Sequence, residues 1–169
     1  MIVDLSSVAG SASYEFEISP EESDLDTSGI SLPEKIDVKC VIRRNLVETD
    51  VSGEIKTKAE VDCTRCLQPV PVDLDIRFEV SYVAPEAFST DKELEVPESD
   101  LGRDVLESES LDLKEVAREQ ILLNLPDRAF CREACKGLCP KCGTNLNLNG
   151  CGCSEDEVDP RWSALRNFK

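Results

Sequence analysis

The sequence of residues 51–83 is VSGEIKTKAEVDCTRCLQPVPVDLDIRFEVSYV, in which apolar and polar residues alternate on both sides of a cysteine pair. Alternation with a period of two is typical of a β-strand with one buried and one solvated face. The residues predicted to face inward are Val51, Gly53, Ile55, Thr57, Ala59, Val61, Val70, Val72, Leu74, Ile76, Phe78, Val80 and Tyr82. The stretch therefore predicts two antiparallel strands joined by a turn that contains Cys63 and Cys66.

A third strand is predicted upstream, where the residues of one parity are Ile36, Val38, Cys40 and Ile42. A loop near residues 45–50 separates it from the strand that begins at Val51. Three consecutive strands of this kind predict an antiparallel meander with one solvated face. Because a free thiol on the inward parity behaves as a small buried hydrophobe, we assign Cys40 to the core and not to a metal site.

The rest of the N-terminal part carries weaker signals. Residues 1–18 contain the short alternating segments IVDL and YEFEI, which fit a strand pair or an arm on the main sheet. Residues 19–29 are acidic and contain Ser, Pro and Gly, which predicts a loop. Residues 84–110 are acidic, interrupted by proline and weakly periodic, so we expect a long mobile loop there.

One main amphipathic helix is predicted after this loop. Asp112 and Glu115 have the spacing of a capping box, and Pro126 ends the run. Its residues at helical spacing are Leu113, Val116, Ala117, Gln120 and Ile121. A short terminal helix is also predicted, with Asp159 as N-cap and Pro160 at its first position. Its apolar stripe consists of Trp162, Leu165 and Phe168.

These elements predict an α+β fold. An antiparallel β-sheet meander is packed by one main helix and is followed by a C-terminal cysteine-rich zinc module with a short terminal helix. At 169 residues the chain has room for one ordinary core and a small module held by metal. We expect residues 1–125 to form the sheet and helix domain and residues 126–169 to form the module, closely docked on each other.

Eight of the nine cysteines are spaced like ligands of closed zinc sites, and the chain contains no histidine. The first predicted site consists of Cys139, Cys142, Cys151 and Cys153, where glycines beside the ligands relax the backbone. The second predicted site consists of Cys63, Cys66, Cys131 and Cys135. It would join the sheet to the module, with its last two ligands on one face of a helical turn. We therefore expect two zinc ions.

Spacing alone leaves other arrangements open. A single zinc with Cys131 and Cys135 merely nearby satisfies the same pattern, and an iron–sulfur cluster uses the same ligand type. A redox dithiol at Cys63 and Cys66 is disfavoured, because the pair lies between strands and not at a helix N-terminus. A secreted disulfide framework is disfavoured too, since nine is odd and the N-terminal segment lacks a signal-peptide pattern.

The formal charge of −16 is unevenly distributed. Residues 1–125 hold 12 Lys and Arg against 29 Asp and Glu, whereas residues 126–169 hold 7 against 6. The acidic body is expected to attract basic partners and to repel nucleic acid. The candidates for an RNA contact are therefore the basic residues among the C-terminal cysteines: Arg128, Arg132, Lys136 and Lys141. A solvated surface is the simpler interpretation of these four residues.

Sequence patterns also bear on location and on catalysis. No run of 18 or more apolar residues occurs, so we expect a cytoplasmic protein with no membrane segment. The chain has no histidine, nucleophile elbow, phosphate-binding glycine loop or HExxH pattern. The sequence therefore predicts that the protein is not an enzyme.

Several motifs together resemble a known family. They are CTRCLQPV at 63–70, LPDRAFCREACKGLCPKCGTNLN at 125–147, CGC at 151–153 and DPRWSALRNF at 159–168. The chain resembles the bacterial YceD family, described as large-subunit (23S) ribosomal RNA accumulation proteins. The resemblance covers essentially the whole chain and is most specific at residues 135–147. It implies that the eight cysteines other than Cys40 occupy the cysteine pattern of the family.

With the resemblance, the sequence suggests a non-enzymatic factor that supports large ribosomal subunit biogenesis and 23S rRNA accumulation. It would act through protein or rRNA binding on a zinc-stabilised scaffold. The expected partner is a basic ribosomal protein or a pre-ribosomal particle, with rRNA contact through residues 128–141. A zinc-ribbon adaptor in transcription or in another protein–protein interaction is the alternative, and a thiol redox enzyme ranks below both.

Overall fold

The structure is a computed structural model and describes residues 1–23, 25, 29–85, 102–153 and 161. Its described part contains eight strands, one α-helix and two short 3-10 turns at Leu5–Ser7 and Pro20–Glu22. The strands and the helix are β1 (Ile2–Asp4), β2 (Ser11–Ile18), β3 (Ile30–Ser31), β4 (Ile36–Arg44), β5 (Glu48–Asp62), β6 (Pro69–Val83), β7 (Arg103–Val105), β8 (Ser110–Asp112) and α1 (Leu113–Asn124).

The main sheet has six strands in the order β2-β4-β5-β6-β7, and β3 pairs with β5. Strands β5 and β6 are paired along their whole length, from Glu48 opposite Val83 to Asp62 opposite Pro69. Strand β4 pairs antiparallel with β5, and β2 pairs antiparallel with β4. The α+β class and the antiparallel meander predicted from the alternation are confirmed.

Burial along the strands follows the predicted parity. Val51, Ile55 and Ala59 are fully buried, and the same parity continues beyond the end of β5 to Cys63. Cys40 is buried in the core with a free thiol, and burial raises the pKa of this thiol to about 11. The assignment of Cys40 to the core is therefore confirmed, and a neutral buried thiol there behaves as an apolar side chain.

Helix α1 covers the inner face of the sheet. The side chain of Asp112 caps the helix by accepting a hydrogen bond of 2.9 Å from the backbone N–H of Lys114. The helix contacts β6 and β1 and buries the apolar residues Leu113, Val116, Ala117 and Ile121. Among the residues that the structure describes, no helix is long and apolar enough to cross a membrane.

The structure differs from the sequence predictions at the sheet margins. Strand β1 pairs with β8 in a separate two-stranded sheet, and β7 pairs parallel with the end of β6. The prediction of a loop over residues 84–110 is therefore wrong where β7 and β8 form. Residues 86–101 of this segment lie outside the described residues. The predicted terminal helix from Asp159 to Phe168 also lies outside them, except Arg161. The domain boundary between 125 and 126 stays a prediction.

Gly53 allows a close approach between strands. It lies opposite Cys40 of β4 on one side and opposite Phe78 of β6 on the other. A Cβ atom placed at Gly53 would lie 2.8 Å from the Cβ of Cys40 and would clash with the backbone carbonyl of Lys39. Only glycine fits this point of the sheet without separating β4 from β5.

Substitution of Gly53 by alanine tests this packing. We expect Gly53→Ala to lower the free energy of unfolding by about 1–3 kcal/mol, because the strands must move apart. Gly102→Ala is the matched control, since a Cβ at Gly102 has no heavy atom within 4 Å. Urea denaturation of both variants gives the two free energies, and equal values for them would contradict the close approach at Gly53.

Candidate metal centre

The structure brings eight cysteines together in two groups of four. We call Cys63, Cys66, Cys131 and Cys135 the sheet-anchored cluster. We call Cys139, Cys142, Cys151 and Cys153 the peripheral cluster. Within each cluster all four Sγ atoms lie within 4.8 Å of one another. These are the same two groups that the cysteine spacing predicts, and each could hold a metal ion.

The sulfur positions of the sheet-anchored cluster fit one tetrahedral ion. The Sγ atoms of Cys66 and Cys131 are 3.5 Å apart, and those of Cys63 and Cys135 are 3.9 Å apart. Four sulfurs placed tetrahedrally at about 2.3 Å from one zinc ion are separated by about 3.8 Å. A polynuclear iron–sulfur core would occupy the space between the thiolates and spread them further. The geometry therefore fits a single ion that accepts four thiolates.

The turn between β5 and β6 positions the first two ligands. The backbone N–H of Cys63 donates to the carbonyl of Gln68 at 2.8 Å, and the N–H of Leu67 donates to the carbonyl of Cys63 at 2.9 Å. The backbone N–H groups of Arg65 and Cys66 are directed to the Sγ of Cys63. The turn thus holds one thiolate in a ring of N–H donors at the end of a buried strand.

The second C-x2-C turn repeats this frame. The N–H of Cys139 donates to the carbonyl of Thr144 at 2.8 Å, and the N–H of Gly143 donates to the carbonyl of Cys139 at 2.9 Å. The N–H groups of Lys141 and Cys142 are directed to the Sγ of Cys139. Two segments with different sequences therefore build the same hydrogen-bonded turn around a cysteine pair.

The two turns differ in the residue that follows the second cysteine. Gly143 has φ +72° and Leu67 has φ +58°, so both adopt the left-handed conformation. Glycine adopts it without a steric penalty, whereas a residue with a Cβ is strained by about 1–2 kcal/mol. Leu67 is 59% exposed, so little burial of its side chain compensates for this strain.

Electrostatics within the sheet-anchored cluster make its thiols unequal. Burial opposes ionisation of Cys63, but N–H donors from Cys131, Arg65 and Cys66 outweigh it and lower its pKa to about 6. Burial and the neighbouring thiols together raise the pKa of Cys131 to about 12. One thiolate therefore forms readily, while ionisation of all four needs a cation to offset their mutual repulsion.

The peripheral cluster shows the same inequality. Hydrogen bonds from the side chain and backbone of Thr144 lower the pKa of Cys142 to about 6. The neighbouring thiols of Cys142 and Cys139 raise the pKa of Cys153 to about 12. The donor set and its spacing thus fit a divalent ion in both clusters.

Backbone hydrogen bonds join the sheet-anchored cluster to the chain beyond α1. The N–H of Thr64 donates to the carbonyl of Ala129 at 2.8 Å, and the N–H of Leu138 donates to the carbonyl of Arg65 at 3.0 Å. The segment from Cys131 to Cys135 is a single turn, closed by the N–H of Cys135 and the carbonyl of Arg132, instead of the helical turn expected from the i, i+4 spacing.

Arg65 reinforces this junction from between the first two ligands. Its guanidinium donates to the carbonyl of Cys135 at 2.9 Å and to that of Glu133 at 3.3 Å. It also lies over the ring of Phe130, 4.5 Å from the centroid. A cation over an aromatic face is a favourable contact. The role of Arg65 is not predictable from the sequence, because nothing in CTRCL shows which carbonyls its side chain reaches.

Asn147 connects the two clusters and was also missed. It lies in the loop between Cys142 and Cys151, and its side-chain amide donates to the Sγ of Cys135 at 3.3 Å. Its side-chain oxygen accepts from the N–H of Lys136 at 2.8 Å. The sequence signal is weak, since an amide that lies between cysteines in the chain can donate a hydrogen bond to sulfur but need not reach one.

The clusters differ in exposure. In the sheet-anchored cluster only Cys131 is exposed, whereas in the peripheral cluster only Cys139 is buried. The four predicted RNA-contact residues are Arg128, Arg132, Lys136 and Lys141, and all four are exposed around the clusters. Arg132 donates to the carbonyl of Asn147 at 3.5 Å. Their role in RNA contact stays a prediction.

Metal content of cysteine variants tests the two clusters separately. We expect Cys63→Ser and Cys142→Ser each to bind one ion fewer than the unsubstituted chain, because each substitution removes one of four ligands from a different cluster. Cys40→Ala is the control and should bind as much metal as the unsubstituted chain. Elemental analysis of purified protein measures the ratio, and loss of both ions from a single substitution would contradict independent sites.

The strain at Leu67 gives a second prediction. Leu67→Gly should raise the free energy of unfolding by about 1 kcal/mol relative to Leu67→Ala, because glycine adopts the left-handed conformation freely. Both variants remove the exposed leucine side chain, so their difference isolates the backbone. Urea denaturation of the metal-loaded variants measures it. A more stable alanine variant would show that the left-handed conformation of this turn is not retained.

Comparison with known proteins adds to this geometry. The sequence profile of the family described as "Large ribosomal RNA subunit accumulation protein YceD" matches residues 51–169. An uncharacterized protein of Mycobacterium tuberculosis is 33% identical over 115 residues, which is 68% of this chain and 53% of that protein. The uncharacterized protein YlbN of Bacillus subtilis is 26% identical over 159 residues, which is 92% of this chain and 88% of that protein.

A plant relative carries a more informative name. The chloroplastic "Large ribosomal RNA subunit accumulation protein YCED homolog 1" of Arabidopsis thaliana is 36% identical over 63 residues, which is 37% of this chain and 20% of that protein. The chain spans about half the length of the mycobacterial relatives that it matches. No solved structure matches it. Because the family profile covers most of the chain and all eight clustered cysteines, the chain belongs to the YceD family of large ribosomal RNA subunit accumulation proteins.

Proposed function

We propose that the protein is a non-enzymatic factor that supports accumulation of the large-subunit ribosomal RNA. It acts in the cytoplasm through protein or rRNA binding on a scaffold held together by two zinc ions. Membership of the YceD family and the name of the Arabidopsis relative support the ribosomal role. The observation that carries the scaffold is the pair of four-thiolate clusters, one of which joins the sheet to the chain beyond α1.

Zinc is the ion that best suits these clusters. Four thiolates fill the coordination shell of a tetrahedral zinc ion, and such closed sites are structural, whereas catalytic zinc keeps a position for water. Each such site carries a formal charge of −2, which the ring of N–H donors around Cys63 and Cys139 partly offsets. In this role the zinc ions stabilise the folded state, and no coordination position is left at which a substrate could bind.

A thiol redox enzyme is less well supported. The low pKa of Cys63 is the feature that favours it, since thiolates are the reactive form of cysteine. The same N–H donors also stabilise a thiolate bound to zinc, and the three other thiols lie within 4.8 Å. The low pKa therefore does not favour a redox thiol over a metal ligand, and the three neighbouring thiols favour the ligand.

Charge suggests the partner. The acidic body favours a basic ribosomal protein, or a pre-ribosomal particle that presents one, over naked RNA. Contact with rRNA would use the exposed basic residues at 128–141, where Asp127, Glu133 and the thiolates oppose it. A zinc-ribbon adaptor in transcription has similar physical features but a different client, so the client must be identified directly.

Complementation tests the proposed function. In cells that lack the protein, we expect the ratio of 23S to 16S rRNA to fall, and the unsubstituted chain and Cys40→Ala to restore it. Cys63→Ser should fail to restore it at equal protein level, because the sheet-anchored cluster loses a ligand. The tagged protein should co-sediment with large-subunit precursors. An unchanged rRNA ratio together with co-sedimentation with RNA polymerase would favour the adaptor instead.

A charge reversal separates RNA contact from protein contact. If residues 128–141 bind rRNA, the double variant Lys136→Glu with Lys141→Glu should weaken binding of a large-subunit rRNA fragment at least tenfold and flatten its salt dependence. Binding of a basic ribosomal protein to the acidic body should not weaken. Filter binding across a salt series measures both, and unchanged RNA affinity and salt slope would exclude this surface as the RNA contact.

A further inference from the structure

Strand β2 is an edge strand whose outer side has no partner among the described residues. It is the first strand in the sheet order and pairs only with β4. Natural edge strands are usually protected by charged side chains, above all lysine, by proline or by a bulge, which prevent pairing with another chain. The β2 sequence SASYEFEI contains neither lysine nor proline, its two glutamates form ion pairs within the chain, and its pairing with β4 is regular from Ser11 to Ile18. Within the part of the chain that the structure describes, this edge is therefore open to strand addition.

The hydrogen-bonding groups that face this edge can be identified from the register. The N–H of Arg44 donates to the carbonyl of Gly10, one step before the first pair of β2 and β4. Bonded and non-bonded pairs alternate in an antiparallel ladder, so the even-numbered residues of β2 bond to β4. The N–H and C=O groups of Ser13, Glu15 and Glu17 consequently point to the open edge.

The inward side chains of β2 are incompletely covered. Ala12, Tyr14 and Phe16 pack against the core, yet all three are only half-buried, whereas the inward residues of the neighbouring strand β4 are buried. An added strand would cover them further if it brought apolar side chains to the same face. The edge thus offers apolar area as well as unpaired backbone groups.

The outward face of the edge is electrically balanced within the chain. Glu15 forms an ion pair with Lys39 at 2.7 Å, and Glu17 forms one with Lys35 at 2.7 Å. Because these ion pairs are exposed and weak, each carboxylate can still attract one facing cation, but neither leaves an unbalanced charge on this face. This neutral, mixed face fits a neutral strand better than a strongly basic one.

We propose that β2 pairs with β2 of a second copy of this chain, antiparallel and centred on Tyr14. In this register Tyr14 lies opposite Tyr14, and Ala12 lies opposite Phe16, so a small side chain meets a large one in the narrow non-bonded pairs. Ser13 of each copy lies opposite Glu15 of the other copy. These two symmetry-related pairs each form two backbone hydrogen bonds, which makes four in total. No like charges are directly opposed. Centring the pair on Glu15 would oppose two glutamates.

The interface joins the two main sheets into one continuous sheet. A single strand from each copy buries less than the ~1,600 Å² of a standard interface, so the dimer is weak and concentration-dependent. The net charge of −16 on each chain repels the copies at long range, and added salt screens this repulsion. Dimerisation should therefore strengthen with salt, whereas binding of a basic strand would weaken with salt.

Sedimentation equilibrium of the full zinc-loaded chain in reducing buffer tests the proposal. We expect a reversible dimer of the 18.7 kDa chain, and its dissociation constant should fall as the salt concentration rises. Ser13→Lys should tighten the dimer and Ser13→Glu should weaken it, each by roughly three- to tenfold, because position 13 meets Glu15 of the second copy. Ser13 is exposed, so neither substitution disturbs the core.

The same substitutions at Asn149 are the matched control for net charge. Asn149 is exposed in the loop of the peripheral cluster, far along the chain from β2. Its two variants should change dimerisation less than those at Ser13. Amide hydrogen exchange of Ser13 and Glu15 should also slow as protein concentration rises. A monomer at all concentrations up to about 1 mM, or equal effects at the two positions, would overturn the proposal.

Discussion

The structure depends on one junction, where two thiols from the turn between β5 and β6 meet two thiols from the turn after α1. The Sγ atoms of Cys63 and Cys135 are separated by 72 positions in sequence and by 3.9 Å in space. Linking residues so far apart restricts the unfolded chain, and a covalent crosslink of this loop length contributes about 4 kcal/mol. A metal ion bound by both cysteine pairs would also stabilise the folded state. The long hairpin is thereby tied to the C-terminal segment.

The repeated turn explains how a short segment can hold a second cluster. The turns at residues 63–68 and 139–144 share the same backbone hydrogen bonds, although one ends a buried strand and the other lies at the surface. The first cluster is supported by the sheet, by Arg65 and by Asn147. The second has fewer neighbours and depends on its own loop. The chain therefore combines a largely buried cysteine cluster with a more exposed one.

Much of this arrangement could be predicted from the sequence, and the exceptions have physical causes. Long regular alternation identified β4, β5 and β6, and the cap at Asp112 identified the start of α1, because those patterns extend over many residues. Strands β7 and β8 have three residues each, too few to show a period, and the short segment at β1 could not indicate β8 as its partner. The spacing of the cysteines along the sequence predicted their two groups of four, because few groupings place four thiols close enough to bind one ion. Arg65 and Asn147 act through long-range contacts that leave no local pattern.

We propose that each cluster holds one ion through four thiolates. X-ray absorption of protein purified without added metal is the decisive measurement, because the spectrum identifies the metal and the atoms around it. We expect a zinc edge with four sulfur neighbours at about 2.3 Å and no nitrogen or oxygen neighbour. A mixed shell with nitrogen or oxygen, or an iron edge with a short metal–metal distance, would contradict it.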